Sequence, residues 1–199
     1  MLRGRHIRLE PLQPQHIEPL AAASEAGGEL YAMSFVPQGV DAMRRYVETA
    51  LAWAKAGTAV PFATIRQSDD TVIGSSRFFN LERWTWPADR PQHNTYDTGE
   101  IGYTWLSADA IRTPANTEAK LLMLALAFES WGMRSVCFST DSRNARSRAA
   151  IQRIGAQFEG ILRAHRLATD LIPRDTARYS IIANEWPNVK EHIAALLAR

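Results

Sequence analysis

The sequence predicts a mixed α/β fold, in which a mostly antiparallel sheet of about seven strands is flanked by helices. Two observations lead to this prediction. Runs of alternating apolar and polar residues recur along the chain, and segments with apolar residues at helical spacing lie between them. The 199 residues are 46% hydrophobic and 22% charged, and no linker-like stretch divides them. We therefore predict a single domain over residues 1–199.

The first third of the chain predicts one strand and two helices. The strand covers His6 to Leu12, where apolar and polar residues alternate, and a helix follows from about Gln15. The second helix has Asp41 as a candidate cap and apolar residues at helical spacing to about Ala56. Gly57 is expected to end it, because glycine favours the left-handed conformation after a helix.

The middle of the chain predicts a hairpin and a fourth strand. The segments Pro61 to Arg66 and Thr71 to Leu81 are joined by the short polar turn QSDD, which favours antiparallel pairing. An irregular, proline-rich excursion over residues 82–99 then leads to the fourth strand, Glu100 to Leu106. Long loops of this kind within a compact domain are often functional.

The second half predicts a buried helix over Thr117 to Trp131 and a fifth strand over Ser135 to Thr140. Because this helix makes a crossover connection, the fourth and fifth strands should lie parallel. A helix over Asn144 to Ile154 follows. Two strands, QFEGILRAH and ARYSII, and an amphipathic helix complete the chain.

Charge and composition exclude several classes of partner. The formal net charge of +2 is too small to predict nucleic-acid binding. No signal-peptide pattern begins the sequence, and no window approaches the roughly 20 apolar residues of a membrane span. A cytoplasmic protein is expected.

The single cysteine, Cys137, lies in an apolar strand with no basic neighbour in sequence, which favours a buried structural thiol over a nucleophile. No metal site is predicted.

Four short motifs occur in a fixed order in the second half. They are E-I-G-Y from Glu100, T-E-A from Thr117, N-x-x-S from Asn144 to Ser147, and I-G-A followed by E-G-x-L-R. Together they resemble the GNAT superfamily of acyl-CoA-dependent N-acyltransferases, in particular its branch of ribosomal-protein N-terminal acetyltransferases. The resemblance runs from about Glu100 to Tyr179 and implies that the fourth and fifth strands splay apart.

The resemblance also implies where acetyl-CoA, the cosubstrate, binds. The pantetheine arm is expected to pair with the exposed backbone of Thr104, Trp105 and Leu106, as an added strand would. The pyrophosphate is expected at the start of the helix near Thr117, where unpaired N–H groups and the helix dipole favour an anion.

The turn before this helix departs from the family pattern Q/R-x-x-G-x-G/A. Its three marked positions hold Ile111, Pro114 and Asn116, so no glycine allows close approach of the backbone. Other groups of the turn are expected to replace the missing contacts, although they can also serve simply as helix caps. The candidates are Arg112, Thr113, Ala115, Asn116 and Thr117.

Two residues are candidates for catalysis. Glu100, at the entry to the fourth strand, is the leading candidate to remove a proton from the amine; the alternative is a strand-edge carboxylate paired with an arginine. Ser147 is expected to assist the departing thiolate or to contact the cofactor. Asn144 is expected to contact the pantetheine arm, to cap its helix, or both. Arg148, in an arginine-rich segment, is a candidate for the 3'-phosphate of CoA or part of a solvated face.

Five further residues are weaker candidates for removing the proton of the amine or for lining the acceptor pocket. His93 and His165 have a side chain suited to proton transfer, but each is equally consistent with a surface histidine. Trp84, Trp86 and Tyr96 can line an acceptor pocket or pack the excursion onto the domain.

The resulting prediction is an acetyltransferase acting on a primary amine, either a protein N-terminus or a small molecule, by direct attack in a ternary complex. The alternative is a non-catalytic CoA-binding or interaction module with the same fold. A homodimer is possible, and neither nucleic acid nor membrane is expected as a partner.

Overall fold

The computed structural model describes residues 1–89 and 94–198, which form one eight-stranded sheet with helices on both faces. The strands are β1 (Leu2–Arg3), β2 (Ile7–Pro11), β3 (Ala59–Arg66), β4 (Val72–Glu82), β5 (Thr98–Leu106), β6 (Ser135–Asp141), β7 (Gln157–Leu167) and β8 (Pro173–Ile182). The helices are α1 (Ile17–Glu25), α2 (Val40–Lys55), α3 (Ala115–Ala125), α4 (Ala145–Arg153) and α5 (Trp186–Leu197).

The strand order is β1-β2-β3-β4-β5-β6-β8-β7. Every neighbouring pair is antiparallel except β5 and β6, which are parallel as the crossover through α3 requires. The mixed α/β prediction is confirmed, with one strand more than expected. That strand, β1, has only two residues, which is too short to produce a pattern in the sequence.

Two apolar clusters hold helices to opposite faces of the sheet. One contains Met123 and Leu124 of α3 together with Ile193 of α5. The other contains Leu20 of α1 and Val47 of α2. The strands between them are covered on both faces, which places their side chains in contact with helices on either side.

The parallel strands β5 and β6 separate after a short ladder. They pair only from Thr98 to Glu100 on β5 and from Ser135 to Cys137 on β6. Beyond these residues β5 continues beside β4, while β6 continues beside β8. Within the described residues the β6-facing edge of 101–106 therefore has no partner strand. This opening confirms the predicted splay of the fourth and fifth strands of the sequence.

A bulge interrupts β5 inside this open segment. Between the pairs Ser75–Trp105 and Arg77–Gly102, β4 contributes one residue, Ser76, whereas β5 contributes two, Tyr103 and Thr104. Tyr103 has φ 50°, a conformation that a bulge accommodates and a regular strand does not. The side chains of the two bulged residues consequently contact opposite faces of the sheet: Tyr103 lies against Trp53 of α2, and Thr104 bonds Lys120 of α3.

Two helices begin at residues other than those predicted. Helix α2 begins at Val40 with Gly39 at its cap position (φ 77°), so Asp41 lies in the first turn rather than at the cap. Helix α3 begins at Ala115, two residues before Thr117, because a proline at position 114 suits a helix start. The predicted cap of α4 is correct, since Asn144 Oδ1 accepts a hydrogen bond from the Ser147 N–H at 3.0 Å.

Candidate active site

A cleft of about 830 Å³ lies where β5 and β6 begin to separate. Its walls combine carboxylates, basic groups and aromatic rings from β4, β5, β6, β7 and β8, together with α2. The carboxylates are Glu82, Glu100 and Glu159; the basic residues are His165, Arg166 and Arg178; the aromatic residues are Trp53, Phe79, Trp84 and Tyr103. Such a mixture can hold a polar substrate and place it beside a proton acceptor.

Glu100 lies in the wall of this cleft and is only 5% exposed. Its Oε2 accepts hydrogen bonds from Asn80 Nδ2 at 3.2 Å and from Arg166 Nη2 at 3.3 Å. Both possibilities for Glu100 are thus present in one geometry: it is a strand residue paired with an arginine, and it faces the cleft. Only one carboxylate oxygen makes these two bonds, so Oε1 can accept a proton from a bound amine.

Cys137 differs from its prediction in one respect. It is buried as expected, but Arg178 Nη2 donates a hydrogen bond to its Sγ at 3.2 Å. The expectation of no basic neighbour was wrong, because Arg178 comes from β8 and is 41 residues away in sequence. Arg178 also forms an ion pair with Glu159 at 3.2 Å. The thiol and both charged groups therefore form one part of the cleft wall.

His165 also lines the cleft, and its Nδ1 lies 3.2 Å from Thr176 Oγ1. Burial lowers the pKa of His165 below its ordinary value, and the nearby Arg166 guanidinium lowers it further. The neutral imidazole is therefore the main form at neutral pH, which leaves a nitrogen able to accept a proton. His93, the other candidate histidine, lies outside the described residues.

The tryptophans of the excursion have different positions. Trp84 lines the cleft, whereas Trp86 donates its Nε1–H to Asp97 Oδ1 at 3.2 Å and lies against the Arg134 guanidinium. Tyr96 packs against Trp131. Trp86 and Tyr96 therefore pack the excursion onto the domain, whereas Trp84 lies in the wall of the cleft.

The first turn of α3 presents the groups expected at the pyrophosphate. Thr113 Oγ1 accepts a hydrogen bond from the Ala115 N–H at 3.3 Å, although the N-cap position of the helix belongs to Pro114. Arg112 is exposed with φ 64°, and the buried Asn116 Oδ1 makes no hydrogen bond within the described residues. Thr117 Oγ1 accepts from Arg153 Nη1 at 3.1 Å.

The contact between Arg153 and Thr117 was not predicted. It brings a guanidinium from the end of α4 to the first turn of α3, where an anion is already favoured. The arginine-rich composition of the segment was visible in the sequence, but the particular arginine that reaches α3 depends on how the two helices pack. Arg153 therefore joins Arg112 as a candidate for phosphate binding.

The two other predicted residues of α4 lie as follows. Arg148 donates to Tyr179 Oη at 3.0 Å and to the Ser142 carbonyl at 3.2 Å, so most of its guanidinium is held within the protein. Ser147 is half-buried and is not among the residues that line the 830 Å³ cleft.

Two buried cations lie on either side of the β5 bulge and were missed by the sequence analysis. Lys120 is buried on the α3 face, and its Nζ donates to Thr104 Oγ1 at 2.7 Å. Arg77 is buried on the α2 face beneath Tyr46 and Tyr103, whose ring centroids lie 4.5 and 4.3 Å from its Cζ. Its Nε and Nη2 make no hydrogen bond within residues 1–89 and 94–198.

The described part of the chain contains no cluster of side chains suited to a metal ion. None of its helices combines the length and the apolar composition needed to cross a bilayer.

A sheet opened between two parallel strands, with a carboxylate where they separate and a helix start beyond, defines the class of acyl-CoA-dependent N-acyltransferases. The free edge of β5 can pair with an amide-bearing arm, and the first turn of α3 has donors for a diphosphate. Comparison with known families agrees: residues 6–157 match the model of the acetyltransferase (GNAT) domain. The chain belongs to this family and is an N-acetyltransferase.

Solved structures with the same fold were also found. A GCN5-related N-acetyltransferase from Brucella melitensis is 30% identical, with a TM-score of 0.84 over 98% of this chain and 84% of that one. An acetyltransferase structure from T. thermophilus is 32% identical, with a TM-score of 0.78 over 98% and 96%. RimJ from Mycobacterium smegmatis, in complex with CoA-disulfide, is 18% identical, with a TM-score of 0.77 over 96% and 88%, and so shows the shared fold alone. No protein with a curated description matches the sequence.

Proposed function

We propose that the protein transfers an acetyl group from acetyl-CoA to a primary amine held in the 830 Å³ cleft, by direct attack within a ternary complex. The position of Glu100 is the observation that carries this proposal. Glu100 is the last residue of β5 that pairs with β6 and lies in the cleft wall, and the edge of β5 without a β6 partner begins at the next residue.

In this proposal the backbone from Thr104 to Leu106 pairs with the pantetheine arm. A backbone N–H of the same stretch donates to the thioester oxygen, where negative charge develops as the amine attacks. Glu100 accepts the proton of the amine, either directly or through one water. Ser147 of α4 and Asn144, which caps that helix, are proposed to contact the arm.

The phosphates are assigned to the first turn of α3. Thr113, Ala115, Asn116 and Thr117 provide hydroxyl, amide and backbone groups there, and Arg112 provides positive charge. Within this turn the Asn116 Nδ2 can donate to a phosphate oxygen, whereas its buried Oδ1, which has no partner among the described residues, is an acceptor and needs a donor such as water. Arg148 is retained only as a candidate for the 3'-phosphate.

The acceptor is proposed to be a cationic amine, either a peptide N-terminus or a small amine. Three carboxylates and four aromatic rings in the cleft wall favour such a group, since carboxylates attract an ammonium and aromatic faces bind cations. Arg166 and Arg178 each pair with one of the carboxylates, whereas Glu82 has no arginine partner among the ion pairs of the described chain.

Turnover with a panel of amines tests the proposal. The protein would be incubated with acetyl-CoA and, in turn, short peptides, N-terminally blocked peptides with lysine, and small polyamines, while released thiol is measured and products are weighed by mass spectrometry. Amine-dependent thiol release with acetylated product is expected. Absence of product from every class of amine, despite CoA binding in calorimetry, would contradict it.

The same calorimetry addresses the alternative of a non-catalytic CoA-binding module. That alternative arises from the glycine-free turn, in which Pro114 provides no N–H donor. Membership of an acetyltransferase family favours the enzyme. Tight CoA binding without any turnover is the result that would favour the module instead.

A cytoplasmic location and a homodimer belong to the same proposal. The edge strand β7 carries the exposed apolar residues Phe158 and Ile161, which supports association through that edge. Sedimentation equilibrium at several concentrations would show a monomer mass if the dimer is wrong.

A further inference from the structure

The network of Lys120, Thr104 and Ser76 lies at the β5 bulge, on the α3 face of the sheet. Lys120 Nζ lies 2.7 Å from Thr104 Oγ1 and 3.3 Å from Ser76 Oγ, and the two hydroxyl oxygens are 2.7 Å apart. The side chain of Lys120 is 6% exposed. No carboxylate of the described residues forms an ion pair with it, so this lysine is held by hydroxyl groups alone.

The three hydrogen bonds of this network use three of its five polar hydrogens, which leaves one on the ammonium and one on a hydroxyl. A hydroxyl has one hydrogen to donate and can accept two hydrogen bonds. When the Lys120 ammonium and the Ser76 hydroxyl both donate to Thr104 Oγ1, the hydrogen of Thr104 itself points away from both. Thr104 is half-buried, its side chain lies on the α3 face of the sheet, and its backbone belongs to the stretch of β5 that has no β6 partner. Its free hydrogen is therefore available to a third acceptor on the α3 face beside the gap.

The chemistry of acetyl transfer supplies such an acceptor. The amine lone pair forms a C–N bond with the acetyl carbon, and the C–S bond breaks with its electron pair on sulfur. The amine gives up one proton, and the sulfur takes up one. Because the arm pairs with the edge of β5 and its reactive end must reach an amine beside Glu100, the sulfur lies along the stretch that includes Thr104.

We propose that Thr104 donates its hydroxyl proton to the departing thiolate of CoA, and that Lys120 replaces that proton from behind. This inference rests on the acetyl transfer proposed above. The step is balanced: the thiolate becomes a thiol, Thr104 regains its hydrogen from the ammonium of Lys120, and Lys120 becomes a neutral amine. The proton taken from the acceptor amine by Glu100 later returns to Lys120 through water. Thr104 is the residue that touches the reacting atoms, and Lys120 acts through it.

The surroundings of Lys120 make its proton easy to release. Burial lowers the pKa of Lys120 to about 7, because the ammonium is removed from water. The core cluster that packs α3 against β2 and α5 is apolar and includes Leu9 and Ile193. Glu118, in the same helix, has its carboxylate bonded to the backbone N–H groups of 5–7. The ammonium form thus predominates below pH 7 and is lost above it.

The test compares Thr104→Val, Thr104→Ser and Lys120→Met. Valine matches the shape of threonine without the hydroxyl, and serine keeps the hydroxyl. Thr104→Val and Lys120→Met are expected to lower kcat about a hundredfold, a typical effect of losing general acid catalysis, with the Kd for CoA unchanged. Thr104→Ser should retain most of kcat. In the wild type kcat should fall as pH rises through about 7, and Lys120→Met should abolish that fall.

Two comparisons make the outcome specific. Ser147→Ala removes the serine that the sequence offers to the thiolate; a loss of kcat in Ser147→Ala with wild-type kcat in Thr104→Val would overturn the relay. Ser24→Ala removes a buried hydroxyl of α1 and controls for general loss of stability. If Lys120→Met does not fold, Thr104→Val against Thr104→Ser still decides the matter. An inactive wild type would contradict the proposed function itself, whereas an active wild type with unaffected variants would contradict only the relay.

Discussion

Glu100 and Cys137 are paired across the parallel strands β5 and β6, and they are the last residues to be paired before the strands separate. The ladder holds Glu100 in place from one side, and the open gap begins on the other. A carboxylate at this position is fixed by backbone hydrogen bonds rather than by a flexible loop, which is a favourable arrangement for a group that must meet a substrate repeatedly in the same geometry.

Glu100→Gln is expected to lower kcat about a hundredfold, because the amide keeps the shape of the side chain but cannot accept a proton. The Kd for CoA should not change. Initial rates at saturating amine, with calorimetry for CoA, would measure both. Glu191→Gln, at an exposed position of α5, is the matched control. If Glu100→Gln retains the wild-type kcat, the proton acceptor is another group, and His165 is the first candidate.

Arg112→Ala is expected to raise the Kd for CoA about tenfold, as the loss of a charged hydrogen bond of about 1.5 kcal/mol would do. The comparison isolates the side chain, because alanine and arginine both carry a Cβ at this positive φ. Arg112→Lys should recover part of the affinity and keep its dependence on salt. Equal Kd values for all three proteins, measured by calorimetry at low salt, would show that phosphate binding does not involve this side chain.

Glu118→Ala is expected to destabilise the protein by on the order of 3 kcal/mol, since buried donors left without a partner are costly. The Glu118 carboxylate accepts from the backbone N–H groups of Arg5, His6 and Ile7 at 2.6, 2.8 and 2.7 Å. It therefore ties the β1–β2 turn to α3. Urea denaturation would measure the change, and Glu191→Ala is the surface control. A loss within error of that control would mean that water replaces the carboxylate at little cost.

The stability of the protein is expected to rise with pH between about 7 and the unfolded pKa of Lys120. The folded pKa is about 7 and the ordinary pKa of a lysine is 10.5, so in this window the unfolded chain binds one proton more than the folded one. Each pH unit should then add about 1.4 kcal/mol to the free energy of unfolding from this group alone. The full contribution of Lys120 to the free energy of unfolding is present above its pKa in the unfolded chain. It decreases as pH falls and is lost below the pKa of Lys120 in the folded protein.

The measurement compares wild type with Lys120→Met in urea at about pH 7.5, 8.5 and 9.5, which spans the window between the two pKa values. Tyrosines, the cysteine and other lysines titrate in both proteins, so the difference between the two slopes reports Lys120. Parallel slopes would show that Lys120 stays charged when buried.

The sequence predicted the elements that depend on local patterns. The strands that became β3 to β6 were found because alternation of polarity follows the pleat of a strand. The gap between β5 and β6 was predicted from the resemblance to the GNAT superfamily, and the E-I-G-Y motif located it in the sequence. Asn144 was found as a cap because capping needs only neighbours along the chain.

What the sequence did not reveal depends on contacts between distant segments. Arg178 reaches Cys137, and Arg153 reaches Thr117, only after strands and helices have packed. Lys120 follows T-E-A in the first turns of a helix, where a lysine usually faces water, so its burial was not expected. Arg77 follows two serines in β4, a polar run typical of a solvent-facing surface, although α2 covers that face.

The extra residue in β5 has an evolutionary consequence. Loss of the single codon for Thr104 would leave Tyr103 opposite Ser76 and restore regular pairing along the strand, without shifting the residues on either side. Because side chains alternate between faces, Tyr103 would then turn from the Arg77 side of the sheet to the Lys120 side. One three-nucleotide deletion would thus remove Tyr103 from Arg77 and remove one of the two hydroxyl partners of Lys120, so a single change would alter both sites.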